Sequence, residues 1–366
     1  MKQTEKQTEQ VKQTPQKLNF MNDYNSVGHP NVLRALADAS AAKFPGYGTD
    51  AETGRAVAAV RALIQNEAAD VHFLMGGTQT NLTAIAAFLR PHEAVIAPAN
   101  AHINVHETGA IEAVGHKILT VASNDGKLRA DDIRAVCARH GGDEHMVAPR
   151  LVFLSQSSEL GTLYSMAELR EIRAVCDALG LYLYVDGARL AVALTSPRND
   201  VSLPALAALA DAFYLGGTKN GLLLGEALVI ANPKLTADFR YLIKQKGGLL
   251  AKGFLLGLQF CALLENGLYF ELGIHANDMA LRLREGLVKR GFTFFVDSPT
   301  NQIFPILPER AAEALAANVL YEVWEREPNV TGGGKGKTAI RLVTSWNTDA
   351  AEIEAFFERL DRAMRQ

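Results

Sequence analysis

Short apolar runs of the β type alternate with helical runs through the middle of the chain, and this alternation constrains the fold most. The apolar runs are VHFLM (71–75), AVIAPA (94–99), KILTVA (117–122), RLVFLS (150–155), LYLYVD (181–186), AFYLGG (212–217) and EALVIA (226–231). Helical patterns cover residues 31–42, 51–65, 80–89, 130–140, 166–179 and 202–208. Strands that are apolar on both faces and separated by helices indicate a mostly parallel sheet covered on both sides. The sequence therefore predicts an α/β fold.

The alternation stops near Pro233, and a different pattern follows. Residues 234–268 look mainly helical, and a long helix is predicted over 274–290. The remainder predicts strands at 292–296 and 301–307, a helix over 309–324, a strand over 339–346 and a helix over 350–364. We therefore predict a large domain over 17–255 and a small C-terminal α+β domain over 256–366. Residues 1–16 repeat KQT and offer almost nothing apolar to bury, so a disordered tail is predicted there.

Charge and composition exclude several classes of protein. The 366 residues include 37 Lys and Arg against 40 Asp and Glu, so the basic excess typical of nucleic-acid binders is absent. The longest apolar run, 254–264, is too short to span a membrane. Cys137, Cys176 and Cys261 are few and far apart, which favours a reducing compartment and packing roles. With no secretory or transit signal, we expect a cytoplasmic protein that binds neither nucleic acid nor membrane.

Asp186 and Lys219 form the most informative pair of polar residues. Asp186 ends the run LYLYVD, and Lys219 lies 33 residues later in GGTKNG, just after AFYLGG. Ligands of open α/β sheets bind at the carboxyl ends of the strands, where these two side chains are expected. A carboxylate and an amine placed there fit pyridoxal 5′-phosphate (PLP): the lysine forms a Schiff base and the aspartate keeps the ring nitrogen protonated. Flanking glycines let a flat ligand approach the backbone.

The segment GGTQTN follows the first apolar run and opens a helix. Free N–H groups at a helix N-terminus bind phosphate, and Gly76 and Gly77 allow close approach. A hydroxyl from Thr78 or Thr80 can add a hydrogen bond. A Gly-Gly turn is also common in helices that bind nothing, but on the same sheet edge as Asp186 it supplies the phosphate site that PLP requires.

Two further motifs suggest chemistry. AHINVHETGA contains His102, His106 and Glu107; we expect His102 to stack on a pyridine ring or to move a proton, and His106 to be a partly exposed helix histidine. Arg341 in AIRLVTSW can bind a carboxylate across the cleft, or form a surface salt bridge.

The segment TGGGKGKT (331–338) lacks the first glycine of a phosphate-binding P-loop and precedes a strand, so a connection between strands is predicted.

With these motifs in view, the chain resembles the PLP-dependent threonine aldolase family, in the β-eliminating-lyase branch of fold-type I enzymes. The likeness runs from about residue 20 to the C-terminus. YVDGARL and GGTKNG are similar to the family's cofactor Asp and Schiff-base Lys motifs, GGTQTN to its phosphate loop, and RLVTSWNT to the segment with the carboxylate-binding Arg. The resemblance implies that His102 stacks on the ring, and that Ser26 and Arg189 approach the substrate carboxylate with Arg341.

The resemblance also implies active sites shared between subunits, and the chain departs from the family's pattern in one segment. Lys252 and Tyr47 match positions that reach a neighbouring subunit's cofactor, so a homodimer or homotetramer with shared active sites is expected. Many family members carry Glu-Asn-Thr-His-Asn after the fourth large-domain strand. Here the run is SQSSE (155–159), which lacks that histidine, is similar to a subgroup that includes phenylserine aldolase, and places Gln156 at a cofactor-binding position.

The resemblance implies retro-aldol cleavage of a β-hydroxy-α-amino acid, of the threonine, allo-threonine or phenylserine type, to glycine and an aldehyde. Lys219, His102 and Asp186 are the predicted catalytic residues, and no metal is predicted. Two alternatives remain open at this point. One keeps PLP but is a β-eliminating lyase or an aminotransferase, and the other is a metal- or nucleotide-dependent protein that uses His102 and His106 or the glycine-rich loop at 331–338.

Overall fold

A computed structural model describes residues 17–365, so the tail predicted over 1–16 lies outside the described residues. The strands are β1 Leu18–Asn19, β2 Asp70–Leu74, β3 Glu93–Pro98, β4 Ile118–Val121, β5 Ala148–Ser155, β6 Tyr182–Asp186, β7 Ala212–Gly216, β8 Glu226–Ile230, β9 Gln302–Ile303, β10 Ile306–Pro308, β11 Val319–Leu320, β12 Glu322–Arg326 and β13 Lys337–Val343. The helices are α1 Pro30–Asp38, α2 Ala51–Ile64, α3 Gly77–Phe88, α4 His102–Val105, α5 Ala110–Ala113, α6 Ala130–His140, α7 Met166–Leu179, α8 Leu190–Thr195, α9 Leu203–Leu209, α10 Phe239–Gln245, α11 Phe254–Leu264, α12 Leu268–Lys289, α13 Glu309–Ala316 and α14 Ala350–Ala363.

The core is a seven-stranded sheet in the order β2-β8-β7-β6-β5-β3-β4. Its strands are parallel except β8, which runs antiparallel to both β2 and β7. These are the seven apolar runs of the sequence analysis, so the predicted α/β fold with a mostly parallel sheet is confirmed. In such a sheet the carboxyl ends of β2, β5, β6 and β7 lie along one edge, where a ligand can meet all four.

Both faces of the sheet are buried, which explains why its strands are apolar throughout. In β5, Val152 and Leu154 belong to one hydrophobic cluster, while Leu151 and Phe153 belong to the cluster on the other face. Successive side chains of a strand point to opposite faces, so a strand covered on both sides needs apolar residues at every position. The two clusters fix the height and tilt of the strands and hence the positions of their carboxyl ends.

Local signals set the helix bounds where they are strong. In α7 the Ser165 hydroxyl accepts from the Glu168 N–H, and the Glu168 carboxylate accepts from the Ser165 N–H in return. The helix ends at Gly180, whose φ of 67° is a left-handed conformation that glycine adopts easily. The bounds predicted for α6 and α7 match the structure.

The C-terminal region departs from prediction in three places. The helix predicted over 309–324 ends at Ala316, and β11 and β12 follow because β12 pairs with β13 and Trp324 packs on Phe304. The strand predicted over 292–296 forms only one bridge, Phe294 to Pro305, because the Phe292 N–H bonds instead to the Leu287 carbonyl near the end of α12. The strand predicted over 301–307 is split into β9 and β10.

A third hydrophobic cluster holds this C-terminal region together. It combines side chains of α12, β13 and α14 with Phe20 from the beginning of the described chain. The glycine-rich segment 331–336 joins the antiparallel strands β12 and β13, so the predicted strand connection is confirmed. The domain boundary between 255 and 256 stays a prediction. Within residues 17–365, every helix is too short or too polar to cross a membrane.

Candidate active site

The carboxyl ends of the central strands border two adjoining cavities. The inner one, here called the cofactor cavity, has a volume of about 170 Å³; among its lining residues are Gly76, Gly77, Thr78, His102, Asp186, Lys219 and Glu226. The outer one, here called the substrate cavity, has a volume of about 600 Å³; among its lining residues are Tyr24, His102, His106, Glu159, Arg189, Lys219 and Arg341. His102 and Lys219 line both. The structure thus brings together most of the residues that the sequence singled out.

Asp186 is buried at the end of β6, with 4 % of its surface exposed. Its Oδ1 accepts hydrogen bonds from the Tyr214 hydroxyl at 2.6 Å and the Ala188 N–H at 2.9 Å. Its Oδ2 accepts one longer bond, at 3.2 Å, from the Asn81 amide. Oδ1 is therefore saturated by protein donors, whereas Oδ2 keeps a lone pair for a donor in the cofactor cavity.

His102 begins α4 and is tied to a buried carboxylate. Its Nδ1 lies 2.8 Å from Oε1 of Glu107, and the same oxygen accepts from the Asn81 amide at 2.8 Å. Asn81 therefore joins the Glu107 and Asp186 carboxylates in one network. The carboxylate assigns the ring hydrogen to Nδ1, which leaves Nε2 as the free acceptor. Although burial alone lowers the pKa of His102, the hydrogen bond to Glu107 and the charge of Glu159 raise the pKa above its usual value.

Lys219 lies three residues beyond the end of β7, half-buried between the two cavities. Its ammonium nitrogen is 5.9 Å from the centre of the Tyr24 ring. Burial, together with the positive charge of Arg189, lowers the pKa of Lys219 below its usual value. A lysine with a lowered pKa is more readily the neutral amine, which is the form that attacks a carbonyl carbon.

Helix α3 begins at the mouth of the cofactor cavity. No side chain caps its N-terminus: Gly76 is the cap residue, and the Thr80 hydroxyl bonds back to the Gly76 carbonyl. The N–H groups of the first turn, starting with Gly77 and Thr78, have no partner within the helix. A Cβ at Gly77 would lie 3.1 Å from the Tyr214 hydroxyl, so glycine lets the backbone approach the network around Asp186.

Arg189 is held by a carboxylate that the sequence analysis did not identify. Its Nε and Nη2 donate to Oδ2 and Oδ1 of Asp23 at 2.7 and 3.0 Å. Asn301 adds a bond to Asp23 at 3.0 Å. Burial raises the pKa of Asp23, but the charges of Arg189 and Lys219 outweigh it and lower that pKa to about 2. The pair leaves Nη1 of Arg189 for a further acceptor in the substrate cavity.

Arg341 projects from β13 into the substrate cavity and is paired with Glu322, its register partner on β12. Its Nη1 also lies 3.4 Å from the Gln302 side-chain oxygen. Burial and the neighbouring charge of Arg189 lower the pKa of the Arg341 guanidinium. Two guanidinium groups on one cavity wall favour an anion between them, which is what the predicted carboxylate site requires.

Two predicted residues do not line either cavity. The Gln156 amide is occupied by Tyr164, donating to its carbonyl at 3.2 Å and accepting from its N–H at 3.0 Å. The Ser26 hydroxyl bonds to the side chains of Asn25 and Asn347. In this structure neither Gln156 nor Ser26 lines the cofactor or the substrate cavity. Their roles in cofactor and substrate binding stay predictions.

Tyr47 and Lys252 line neither the cofactor cavity nor the substrate cavity. Tyr47 is 45 % exposed, and its ring carries the Lys244 ammonium 4.8 Å above its centre. Lys252 is exposed on the rim of an apolar surface cavity of about 380 Å³, which includes Leu223 and Leu255. Neither residue reaches the cofactor cavity of its own chain.

His106 is exposed at the end of α4, as predicted, with its ring centre 5.4 Å from that of His102. Within residues 17–365, no three His, Cys, Asp or Glu side chains are grouped as a metal site. The hydrogen of His102 Nδ1 is committed to Glu107. This arrangement fits acid–base chemistry at Nε2.

Several residues of the site escaped the sequence analysis: Asp23, Asn81, Tyr214, Glu226 and Glu322. Tyr214 gave one signal, since it puts a hydroxyl into the otherwise apolar run AFYLGG. The others give no signal of the pairs they form: Asn81 ends the segment GGTQTN and Glu226 begins an apolar run, but neither pattern indicates a partner. Asp23 and Arg189, for example, are 166 residues apart in sequence.

Known proteins that are similar to this chain point to the family that its motifs indicate. A profile of the Beta-eliminating lyase family matches residues 19–309. The chain is 33% identical to the low specificity L-threonine aldolase of Pseudomonas sp. over 344 residues, 93% of this chain and 96% of that relative. It is also 33% identical to the low specificity L-threonine aldolase of Pseudomonas aeruginosa, over 91% of this chain and 94% of that one.

Solved structures that are similar to this chain support the same family. The threonine aldolase of Leishmania major superposes with a TM-score of 0.91 and 45% identity, covering 94% of this chain and 99% of that chain. The serine palmitoyltransferase of Sphingomonas wittichii, at 18% identity and a TM-score of 0.68, shares the fold, which is fold-type I. The resemblance drawn from the sequence motifs is thus confirmed. The chain belongs to the beta-eliminating lyase family.

Proposed function

We propose that this chain is a PLP-dependent lyase that cleaves threonine-type β-hydroxy-α-amino acids to glycine and an aldehyde. The observation that carries the proposal is the similarity, over nearly the whole chain, to low specificity L-threonine aldolases. The cavities supply the chemistry for this reaction at Lys219, Asp186 and His102.

The residues of the cofactor cavity fit PLP. Lys219 offers an amine with a lowered pKa, and Asp186 Oδ2 offers a carboxylate oxygen with a free lone pair. The uncapped N-terminus of α3 offers N–H groups for a phosphate beside Gly77. When bound, PLP supplies an electron sink for the pair of electrons that the Cα–Cβ bond leaves behind.

The protein's own part in the reaction begins with orientation. Arg341, with Nη1 of Arg189, holds the substrate carboxylate at the wall of the substrate cavity. Held in this way, the amino acid would present its Cα–Cβ bond for cleavage when PLP is bound. Asp186 Oδ2 would hold a proton on the ring nitrogen of bound PLP, because Tyr214 and Ala188 already stabilise the negative charge of this carboxylate at Oδ1.

His102 is positioned to accept the proton of the β-hydroxyl group. Glu107 fixes the hydrogen at Nδ1 and stabilises the imidazolium that forms when Nε2 takes up a proton. Glu159 lines the substrate cavity beside His102 and adds negative charge to the same region. His102, supported by Glu107, takes the role of proton acceptor. The run SQSSE cannot supply that acceptor because it contains no histidine.

The covalent site and the product test this function together. Borohydride reduction of the holoenzyme followed by peptide mapping should place the pyridoxyl group on Lys219; a label on Lys244, Lys246 or Lys252 would contradict the assignment. Incubation with threonine, allo-threonine and phenylserine should release glycine and the matching aldehyde. Ammonia and a keto acid would show β-elimination instead, and an amino-group exchange with a keto acid would show transamination.

We further propose that two chains complete each other's active sites in a homodimer or homotetramer. Support comes from the exposed apolar side chains around Lys252, among them Leu223, Leu224 and Leu255 at 37 %, 41 % and 39 % exposure. Apolar patches of this kind mark interaction surfaces. Two-fold pairing would bring Tyr47 and Lys252 to the partner's cofactor.

Hybrid dimers test shared sites. Lys219→Ala and Lys252→Ala chains are each expected to be inactive alone, and mixing them should restore part of the activity, because one of the two sites then holds both lysines. The control is a mixture of Lys219→Ala with itself under the same exchange conditions. A fully active monomer by light scattering would rule the proposal out, and failed complementation despite proven exchange would remove Lys252 from the partner's site.

A cytoplasmic location is part of the same proposal. Cys137, Cys176 and Cys261 are all free thiols in the described structure, as expected for a reducing compartment.

A further inference from the structure

Glu226 is a buried carboxylate that the proposed mechanism does not use. It begins β8, the strand between β2 and β7 in the central sheet. In the register of the sheet it lies opposite Leu74 on one side and Gly216 on the other. Two residues after Leu74 comes Gly76, the cap of α3, and three residues after Gly216 comes Lys219. Glu226 therefore stands between the two segments that converge on the cofactor cavity.

The side chain faces this cavity rather than solvent. Only 3 % of the residue is exposed, and it is one of the lining residues of the cofactor cavity, together with Gly77 and Thr78. Its Oε2 accepts a hydrogen bond from the Gly217 N–H at 3.0 Å, which ties it to the loop that carries Lys219.

Burial controls the charge of Glu226. Loss of hydration raises the pKa of this carboxyl to about 7, although Thr218, the Gly217 N–H and the charge of Lys219 favour the ionised form. The Asp186 carboxylate makes a smaller contribution to the same raised pKa. At neutral pH the group is therefore divided between its acid and its carboxylate form.

Three of the other groups that face Glu226 do not compete for this proton: Tyr184, Tyr214 and Tyr269 are buried phenols whose pKa values are raised by burial, so they stay neutral. His102 and Lys219 line the same cavity and can also exchange a proton, since the pKa of His102 is raised and that of Lys219 is lowered. The comparison with a Glu226→Gln variant therefore has to assign the proton to Glu226.

A bound phosphate group would shift the equilibrium between the acid and the carboxylate form of Glu226. It carries close to two negative charges at neutral pH and would lie at the N-terminus of α3, beside Gly77 and Thr78. An ionised Glu226 would oppose it in a poorly hydrated cavity, whereas the neutral acid would not, and an acid O–H can donate to a phosphate oxygen. Phosphate binding therefore favours the protonated form of Glu226.

We propose that Glu226 takes up a proton as the cofactor phosphate binds, and that in its neutral form it positions the 76–78 and 216–219 segments around that phosphate. The inference rests on the proposed function, since it takes PLP as the ligand. It makes Glu226 a positioning residue, which acts through the loop of Lys219 and the start of α3, and not a catalytic one.

The test compares ligand binding by the cofactor-free full-length chain and its Glu226→Gln variant as a function of pH. The probe is pyridoxamine 5′-phosphate, which carries the phosphate but has no aldehyde to react with Lys219. Glutamine is neutral at every pH and keeps an oxygen for the Gly217 N–H, so it imitates the protonated acid. The matched control is Glu325→Gln, which removes an exposed carboxylate on β12 that lines neither cavity.

The two proteins should bind the probe alike near pH 6. Above pH 7 the wild type must first take up a proton, so its affinity should fall relative to Glu226→Gln by up to about tenfold per pH unit, or about 30-fold at pH 8.5. Glu325→Gln should follow the wild type. Equal pH dependence of wild type and Glu226→Gln would overturn the proposal. A difference seen with PLP but not with the probe would also overturn it, because Glu226 would then serve Lys219 and not the phosphate.

A second measurement needs no variant. Calorimetry of probe binding to the wild type near pH 8, in buffers of different ionisation enthalpy, should show net uptake of about one proton beyond that of the probe's own phosphate. No net uptake would contradict the proposal even if Glu226→Gln failed to fold. A wild type that binds neither PLP nor the probe at any pH would instead contradict the proposed function.

Discussion

The two cavities are built differently. On the cofactor side, Asp186, Asn81, Glu107 and His102 form one continuous chain of hydrogen bonds with distances between 2.8 and 3.2 Å. On the substrate side, the two arginines that face the ligand are each paired with a carboxylate of the protein, Asp23 or Glu322. The first arrangement is complete before any ligand arrives, whereas in the second a substrate carboxylate must share a guanidinium with a protein anion.

The difference matches what each side must do. Groups that stabilise a developing charge work best when they are fixed in advance, because no reorganisation is then needed during the reaction. A substrate site must bind and release its ligand in every cycle, and a protein anion that satisfies the guanidinium between cycles avoids an unpaired buried charge. The site therefore combines a rigid cofactor half with an exchangeable substrate half, and four substitutions can test this contrast.

Asp186→Asn should have the largest effect, since it interrupts the rigid half at its centre. To keep the bonds from Tyr214 and Ala188, the new amide oxygen must take the place of Oδ1, which turns its NH2 group toward the Asn81 NH2. In the proposed function, the ring nitrogen of PLP would also lose its anionic partner. Loss of a buried ionic partner costs about 3–5 kcal/mol, so kcat should fall by about 10²–10³-fold or more.

Steady-state kinetics on the holoenzyme check this prediction, with cofactor content measured by absorbance. Tyr214→Phe is the matched control, because it removes one hydrogen bond to the carboxylate but leaves the charge, and its loss of kcat should be smaller. Turnover near wild type in Asp186→Asn would remove Asp186 from the catalytic group.

His102→Phe should separate stacking from proton transfer. A phenyl ring can still cover the cofactor, so PLP affinity should change little, but it cannot take up a proton, and kcat should fall by at least about 10²-fold. In the wild type the rate should rise with pH as His102 loses its proton, with a midpoint above the usual 6.5 because its pKa is raised. The pH profile of kcat/KM measures this midpoint.

His106→Phe provides the control for this prediction, because His106 is a neighbouring exposed imidazole. It should change kcat far less. Full activity of His102→Phe would show that His102 only stacks, and would move the base to Glu159, water or the cofactor phosphate.

In both halves the residues that face the ligand were largely predictable from sequence, and the partners that hold them were not. Asp186 ends an apolar run, Gly76 and Lys219 come one and two residues after one, and a parallel sheet brings the ends of such runs to one edge. Asp23 precedes no strand or motif, so nothing local shows that it holds Arg189.

The errors in the fold have a similar origin. The run containing Trp324 has a helical pattern, and only its pairing with β13 makes it a strand. Local periodicity finds strands buried on both faces because every position carries the signal, whereas short strands in a small sheet depend on partners that periodicity does not show.

Asp23→Asn should act on stability as well as on substrate binding. The lowered pKa of Asp23, about 2 against the usual 3.8, corresponds to about 2 kcal/mol of folding free energy. Because the folded-state pKa is the lower one, this contribution is complete above about pH 4 and is lost as the pH falls toward 2. Denaturant unfolding should therefore show the variant less stable than the wild type at pH 7, with the difference shrinking below pH 4.

Asp297→Asn is the matched control for Asp23→Asn, since Asp297 also pairs with arginines but is 60% exposed. Exposed pairs contribute about 0–1 kcal/mol, so its effect should be smaller. Equal effects of the two variants would contradict the view of Asp23 as the buried anchor of Arg189.

Glu322→Gln should have the smallest effect, and it tests exchange directly. Glu322 occupies the Arg341 guanidinium and is partly open to solvent, with 35% of its side chain exposed. A substrate carboxylate must compete with it, so removing its charge should lower the KM for the amino acid, by up to about fivefold if the pair is worth no more than about 1 kcal/mol. Because the competition concerns binding, kcat should stay nearly constant.

The control is Glu325→Gln, because Glu325 is an exposed carboxylate on the same strand β12. This variant should leave both KM and kcat unchanged. A higher KM in Glu322→Gln alone would reverse the interpretation: Glu322 would then hold Arg341 in its binding position, and the substrate half would be as fixed in advance as the cofactor half.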